Sequence, residues 1–400
     1  MEPAEVVLRF LESVGRRSEA EFYLGLFRAE PKEQFAAISV DANVARHASE
    51  AVVLDLRFLA ALGLLPVVAL GLFEPTDAAE HAARIRRRLD KAGAPALIFA
   101  AEDPEVVAQV TRAARAGTIP ILIFSGAGDQ AEVDARFARL GALLSSLRTR
   151  KMIFLHRPGG LQQRGALVPL CNLTTDYAAL SASRELSRKE RAILHQSRRL
   201  ICELVPHKLL VAITSPLNLF RELFTTKGAG TLIRRGAILS SHARLDELDR
   251  ERLRALLASA FGRPPVEELF GREVARVYLE EGYRGVAILV DTPLGAYLTK
   301  FAVDREAQGE GMGRDLWEQL IAEFPTVFWR ARPANPICEW YGKLCDGMVR
   351  MGEWSVFWKG LAPARIAEAV DYALVQPIDI PPEESYILSP PSTSMVRPSK

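Results

Sequence analysis

Residues 296–323 carry a pattern that can hold an anion. AYLTKFAV reads as a strand, Gln308-Gly309-Glu310-Gly311-Met312-Gly313 as a turn, and RDLWEQLIAE as a helix. The glycines allow a tight turn with exposed amides, and the helix N-terminus adds partial positive charge. Such a turn suits a pyrophosphate. Alone, the pattern Q-x-x-G-x-G is more often just a turn. Downstream, Arg330 and Arg332 stand two apart in FWRARP. Side chains alternate in a strand, so both are expected on one side. Lys300 lies on the strand feeding the turn, two residues from Leu298 and expected on its face. Three cations beside an anion-binding turn repel one another unless anions lie among them. Two such arginines suit bidentate carboxylate recognition. The plain alternative is a solvated edge strand.

The elements that must position these residues follow from hydrophobic patterning. Apolar runs of strand length occur at 35–40, 66–72, 96–100, 119–124 and 152–155. Helical segments are expected between them at 48–63, 77–92, 104–116 and 131–148. Nearly uninterrupted apolar strands alternating with helices imply an α/β sandwich with a mostly parallel, buried sheet. From about 242 the texture changes. A helical pair is expected at 244–260 and a helix at 266–281. Short strands follow at 285–290, 296–303, 327–331 and 354–358, with a helix at 313–323. This is a smaller α+β unit. Residues 1–240 and 241–376 are expected to be the two domains. Residues 377–400, rich in Pro and Ser, are expected to be a poorly ordered tail.

Composition bounds the function. The chain has 400 residues, with 51 Lys+Arg against 49 Asp+Glu. That balance gives no reason to expect a nucleic-acid partner. The apolar stretch 58–73 is short for a membrane span and interrupted by Pro66, so no membrane partner is expected. The four Cys form no CxxC pair, and no basic region precedes an apolar segment at the N-terminus. A reducing cytoplasm is the expected compartment, with no metal.

The order strand, Q-x-x-G-x-G, helix resembles the acyl-CoA site of the GNAT acetyltransferases. YLTKFAVDREAQGEGMGRDLW and FWRARPANPICEWYGKLCDG are similar to the N-acetyltransferase domain of the N-acetylglutamate synthase family. The type is the vertebrate-like one, in which that domain follows an amino-acid-kinase-like domain. RFLESVGRRSEAEFYLGLFR near the N-terminus and ITSPLNLFRELFTTKGAGTLIRRG at 213–236 resemble the same family. The resemblance implies acetyl transfer from acetyl-CoA to the amine of L-glutamate, in arginine biosynthesis. It implies acetyl-CoA binding by Gln308, Gly309, Gly311, Met312 and Gly313. It implies glutamate binding by Lys300, Phe301 through its backbone, Arg330 and Arg332, and roles for Asn335 and Tyr341 in the active site. Arg263, in FGR, falls where family members carry a substrate-contacting Lys, so its fork geometry is a departure. No His lies beyond His242, so a water-mediated base is expected. Tyr341 is then the candidate to protonate the CoA sulfur in a direct ternary-complex transfer. A half-buried packing aromatic is its plain alternative. Cys338 and Cys345 lack a His partner and are expected to be inert.

The kinase-like region departs from its relatives. Where active kinases of this type carry Lys and Gly-Gly after the first strand, Ser39 and Asp41-Ala42 stand. Leu72, Phe73 and Glu74 replace the glycine-rich turn after the second strand. Gly126 and Gly128 could still form a phosphate turn. The expectation is a silent kinase serving regulation and oligomerisation, with a tetramer implied by the resemblance. L-Arginine is the implied effector, at Tyr23, Phe27, Glu222, Gly228 and Gly230. Tyr23 and Phe27 read equally well as helix packing. Two other functions stay open: a bifunctional synthase with residual acetylglutamate kinase activity, and a non-catalytic regulator binding acetyl-CoA or arginine.

Overall fold

A computed structural model describes residues 17–29, 31–225, 228–308 and 311–381. Gly309 and residues 382–400 lie outside the described residues, as do the first residues of the N-terminal motif. The chain divides into two compact units, up to Gly236 and from Ala237.

The first unit is built on an eight-stranded sheet. Its strands are β1 (Ala37–Val40), β2 (Val67–Leu70), β3 (Ala96–Ala100), β4 (Ile119–Ile123), β5 (Lys151–Leu155), β8 (Leu170–Asn172), β9 (Leu210–Thr214) and β10 (Thr231–Arg234). A two-stranded hairpin, β6 (Gln162–Gln163) with β7 (Ala166–Leu167), stands apart. The order is β3-β4-β2-β1-β5-β9-β10-β8, parallel except for the β9–β10 pair. Alternate residues of each strand enter different cores. Ile38, Val68, Ile121 and Ile153 pack on one face. Ala37, Val67, Leu122 and Met152 pack on the other. Burial on both faces is why the strands read as unbroken apolar runs. The helices that cover them are α1 (Arg17–Ala29), α2 (Ala42–His47), α3 (Ser49–Ala61), α4 (Ala78–Lys91), α5 (Val106–Arg115), α6 (Gln130–Leu147), α7 (Tyr177–Ala182), α8 (Arg188–Arg199) and α9 (Leu219–Phe224). The α4 stripe Ala82, Ile85 and Leu89 shows how they dock: all three are fully buried at helical spacing,.

The second unit holds seven strands: β11 (Leu239–His242), β12 (Arg276–Glu280), β13 (Gly285–Val290), β14 (Ala296–Val303), β15 (Val327–Ala331), β16 (Gly347–Met351) and β17 (Trp354–Lys359). Their order is β11-β12-β13-β14-β15-β17-β16. Only the β14–β15 pair is parallel. Helices α11 (Met312–Glu323) and α12 (Cys338–Leu344) pack on one face; α10 (Arg250–Phe261) and α13 (Ile366–Val375) pack on the other. The α/β class and the smaller α+β second unit agree with the sequence expectation. The expected helix at 266–281 is not formed. Residues Glu267–Gly271 make 3-10 turns, and Arg276–Glu280 is strand β12. Val277 and Leu279 enter one core and Tyr278 the other. A strand buried on both faces has no alternation to separate it from a helix.

Candidate functional site

The β14–β15 pairing is short. These strands share only the ladder positions Ala296↔Val327 and Tyr297↔Phe328, although both continue for several residues. Beyond that point the ladder between them ends. On the other edge of β14, pairing with β13 jumps from Leu298↔Leu289 to Lys300↔Ile288. Thr299 is therefore an extra residue, a bulge, and a bulge reverses which face the following side chains take. Leu298 and Phe301 share the core under α11 and α12. Lys300 points to the opposite face. The expectation that Lys300 shares the face of Leu298 is corrected: a single inserted residue in the ladder reverses it.

On the α11 face lies the glycine turn. Gly311 takes φ +81 at the N-cap of α11, a left-handed conformation that favours glycine,. The amides of Met312 and Gly313 open the helix, where intrahelical acceptors are lacking. The Met312 side chain is buried against Gly285, so only its backbone is offered to a ligand. A Cβ on Gly313 would meet Phe301 and Val303 at 3.7 and 3.8 Å, ordinary contact. The fold itself therefore does not demand glycine there. Gln308 is exposed, with its amide 3.3 Å from the Val303 carbonyl. Tyr341, on α12, is buried among the rings of Phe301, Trp329, Trp340 and Phe357. Burial pushes its phenol well above the ordinary range, so it stays protonated,. Asn335 builds the turn into α12: its side chain accepts from the Ile337 amide at 3.2 Å and its own amide donates to the Arg332 carbonyl at 2.9 Å. Burial also raises the Cys338 and Cys345 thiols. The Cys338 thiol lies 3.3 Å from the Arg332 carbonyl.

The cations gather on the α13 face, but none of the four expected ones stands open. Lys300 is pushed down by burial and is ion-paired with Asp379. It also donates to the Thr299 carbonyl and hydroxyl, at 3.0 and 3.2 Å. Arg330 donates to the carbonyls of Ala373, Leu374, Gln376 and Pro377 at 2.7–3.0 Å. It thereby caps the C-terminal end of α13, where acceptors lack partners. Arg332 lies one residue past β15 and pairs with Glu353 at 3.3 Å. Arg330 and Arg332 do share one side: both lie over the Trp354 ring, at 4.0 and 5.0 Å from its centroid,. Arg263 donates to the Pro381 carbonyl at 3.1 Å.

Two residues of this cluster are absent from the sequence expectation. Arg272 pairs through both terminal nitrogens with both oxygens of Asp379, one of which it shares with Lys300, and Asp379 is 2% exposed. The signal for Arg272 was present, because FGR occurs twice, ending at Arg263 and at Arg272. Asp379 falls in the stretch expected to be poorly ordered. That expectation is corrected for residues 377–381, which the cations hold in place.

In the first unit the positions matched to an effector are packed. Tyr23 stacks on Phe27, which meets Phe35 and Phe224 edge-on. Glu222 is buried, paired with Lys151 at 3.4 Å, and accepts from the Ala229 amide at 3.0 Å. Gly228 takes φ +62, and a Cβ on Gly230 would lie 2.0 Å from the Ile213 carbonyl oxygen, so both glycines are demanded by packing. At the C-terminal edge of β1, Asp41 caps α2 and pairs with Lys189 at 2.9 Å. Lys189 also pairs with Glu74 at 3.0 Å and lies over the Phe73 ring. His156, following β5, is buried and lowered by burial, hence neutral. The turn at Gly126–Gly128 is tied from beneath by the buried Arg136, which donates to the Ala127 carbonyl at 2.7 Å. Among the described residues, no group of three or more His, Cys, Asp or Glu is arranged to hold a metal ion. Among them, no helix is long and apolar enough to cross a membrane.

Comparison with known proteins places these sites in context. The family model "NAT, N-acetyltransferase, of N-acetylglutamate synthase" matches residues 240–374. An acetylglutamate kinase of Xanthomonas campestris is 34% identical, over 86% of this chain and 94% of its own. The mitochondrial N-acetylglutamate synthase of Homo sapiens is 36% identical over 64% of this chain, which spans about half the length of that relative. A solved N-acetylglutamate synthase from Neisseria gonorrhoeae, complexed with coenzyme A and N-acetyl-glutamate, has a TM-score of 0.50 at 15% identity. It covers 86% of this chain and 97% of its own, and its likeness concerns the fold. The chain belongs to the acetylglutamate kinase–N-acetylglutamate synthase family, with an amino-acid-kinase-like region followed by the synthase's N-acetyltransferase module.

Proposed function

We propose that the protein is an N-acetylglutamate synthase, transferring the acetyl group of acetyl-CoA to the α-amine of L-glutamate. One observation carries the reading. The parting of β14 and β15 joins a glycine turn at a helix N-terminus on one face to a cluster of cations on the other. A thioester held from the turn can reach through the gap to an amine held by its carboxylates. The pyrophosphate takes the turn Gln308–Gly313. Lys300, Arg330 and Arg332 face the acceptor, with the backbone of Phe301 beside them. Acetyl transfer forms an amide bond and breaks the thioester; the amine proton leaves through water and the departing CoA sulfur takes one. Tyr341, kept protonated by burial, is the donor to that sulfur. The mitochondrial and Neisseria synthases support the substrate pair by name.

The kinase-like region is read as silent. Asp41 places negative charge where phosphate would lie, and Lys189 and Glu74 close on it. An L-arginine effector is the less supported part, because Lys151 already holds Glu222. Arginine does accompany coenzyme A in a second Neisseria synthase structure. A homotetramer and a cytoplasmic setting complete the reading; the four cysteines are all free thiols. The test is release of CoA thiol from acetyl-CoA with L-glutamate, followed by an ATP assay with N-acetylglutamate. Turnover in the first and none in the second is expected. No turnover in the first by folded protein removes the synthase function. Turnover in the second makes the chain bifunctional, a reading that the name of its Xanthomonas relative favours.

A further inference from the structure

The cation cluster of the acceptor face is filled by the chain itself. Residues 376–381 follow α13 and run against the segment 263–272. The Val266 amide donates to the Asp379 carbonyl at 2.8 Å. Arg330 holds the carbonyls of Gln376 and Pro377, and Arg263 that of Pro381. At the centre, the Arg272 fork meets both Asp379 oxygens, and Lys300 meets one of them as well. The family model ends at residue 374, before this segment begins.

A carboxylate held between a buried ammonium and a guanidinium fork is bound as a carboxylate ligand would be. Lys300 and Arg272, left without Asp379, are two cations beside Arg330 and call for an anion. The acceptor read above is a dicarboxylate, with the same group to offer. We propose that Arg272 and Lys300 form a carboxylate clamp of the acceptor site, and that Asp379 occupies it until the acceptor's carboxylate displaces it. Resting on the synthase reading, this adds Arg272 to the acceptor-binding residues and makes residues 376–381 a tethered competitor. A tethered group competes at an effective concentration on the order of millimolar. Apparent acceptor affinity is then reduced by the fraction of molecules with the clamp open.

Hydrogen exchange on the full chain with bound coenzyme A, with and without saturating L-glutamate, reads the displacement directly. Glutamate is expected to speed exchange across 376–381 and at the Val266 amide; unchanged or slower exchange there overturns the proposal. Kinetics supply the second reading. Asp379→Asn keeps the shape and removes the charge, and is expected to lower the glutamate KM about tenfold. A raised glutamate KM makes Asp379 a structural partner and overturns the competitor. Arg272→Gln is expected to raise the glutamate KM about tenfold while the acetyl-CoA KM holds. Equal change in both, or in neither, removes Arg272 from the acceptor site. If Asp379→Asn fails to fold, exchange on the unsubstituted chain still decides. An unsubstituted chain that turns over no glutamate removes the synthase reading and the clamp with it. An active chain with unmoved exchange removes the clamp alone.

Discussion

Both sheets end in a charged cluster, and the clusters are built differently. In the second unit β14 and β15 part, a bulge turns Lys300 to the far face, and the carboxylate between the cations comes from the chain segment that follows α13. In the first unit the strands stay paired. Asp41, Lys189 and Glu74 come from the loop and helix ends around the sheet edge and neutralise one another there. A cluster held by the segment after α13 can be opened by moving that segment. One held by side chains of the surrounding loops and helix opens only when those ion pairs let go of one another. On the reading proposed above, the same charges make a site in one unit and a plug in the other.

The largest expected effect tests how each unit tolerates buried charge. Asp55, on α3, is buried with one oxygen unpartnered, and burial pushes its carboxyl up to about 8. At neutral pH it is protonated in the folded chain and ionised in the unfolded one. Folding takes up a proton, so stability falls as pH rises from about 4 to about 8, by about 1.4 kcal/mol per unit. Asp55→Asn removes this loss and is expected to stabilise the first unit by about 4 kcal/mol at pH 7. Denaturant midpoints at pH 5 and pH 8 check it: the unsubstituted chain should lose stability across that interval more steeply than the variant. Parallel curves would mean that Asp55 finds a partner on folding.

Lys300→Met tests the opposite case, a buried charge that is paired. It leaves Asp379 with one cation fewer in a site of low dielectric. Losing one partner of a buried pair is worth about 2–5 kcal/mol. Glutamate kcat/KM is expected to fall by about 10²-fold or more, with acetyl-CoA binding retained. A variant with ordinary glutamate kinetics would end the idea that this face takes the acceptor.

How much of this was legible follows from the same residues. The glycine at 311 that opens α11, the strand limits of β13, β14 and β15, and the Arg330–Arg332 alternation were written locally, in glycines and period-two patterning. The facing of Lys300 was not, because a bulge is a property of two strands and leaves no mark on one. Asp379 was hidden for a related reason. A Pro-rich stretch with little apolar content looks unable to order itself. Order came instead from cations more than 40 residues away in the sequence, such as Lys300, Arg330 and Arg272. Strand β12 was missed because both its faces are buried.

Glycine substitutions sharpen the turn by separating the fold's demands from the ligand's. Gly311→Val forces a β-branched residue into φ +81 and is expected to weaken acetyl-CoA binding about tenfold, with some loss of stability. Gly313→Ala places its Cβ in ordinary contact with Phe301 and Val303, so stability should hold. A severalfold loss of acetyl-CoA affinity in Gly313→Ala, measured by calorimetry, would then come from the ligand's approach to the helix N-terminus. Unaltered affinity in both variants would refute the turn as the pyrophosphate site.

The smallest expected effect bears on the plug. Ser39 stands where active kinases carry a lysine, yet Lys189 reaches the same sheet edge from α8 and sits 2.9 Å from Asp41. A lysine in space can do what a lysine in sequence does, since phosphoryl transfer needs positioned charge rather than a particular chain position. If the edge is closed, Lys189→Met should change acetyl transfer by less than about twofold, because Lys189 lies in the first unit and the acetyltransferase match in the second,. Phosphorylation of N-acetylglutamate should be absent before and after. The contrary result is equally sharp: ATP-dependent phosphorylation in the unsubstituted chain that Lys189→Met abolishes would make Lys189 the phosphate-binding cation. Asp41 and Glu74 would then be its resting partners, and the first unit would hold its site shut in the way the second does.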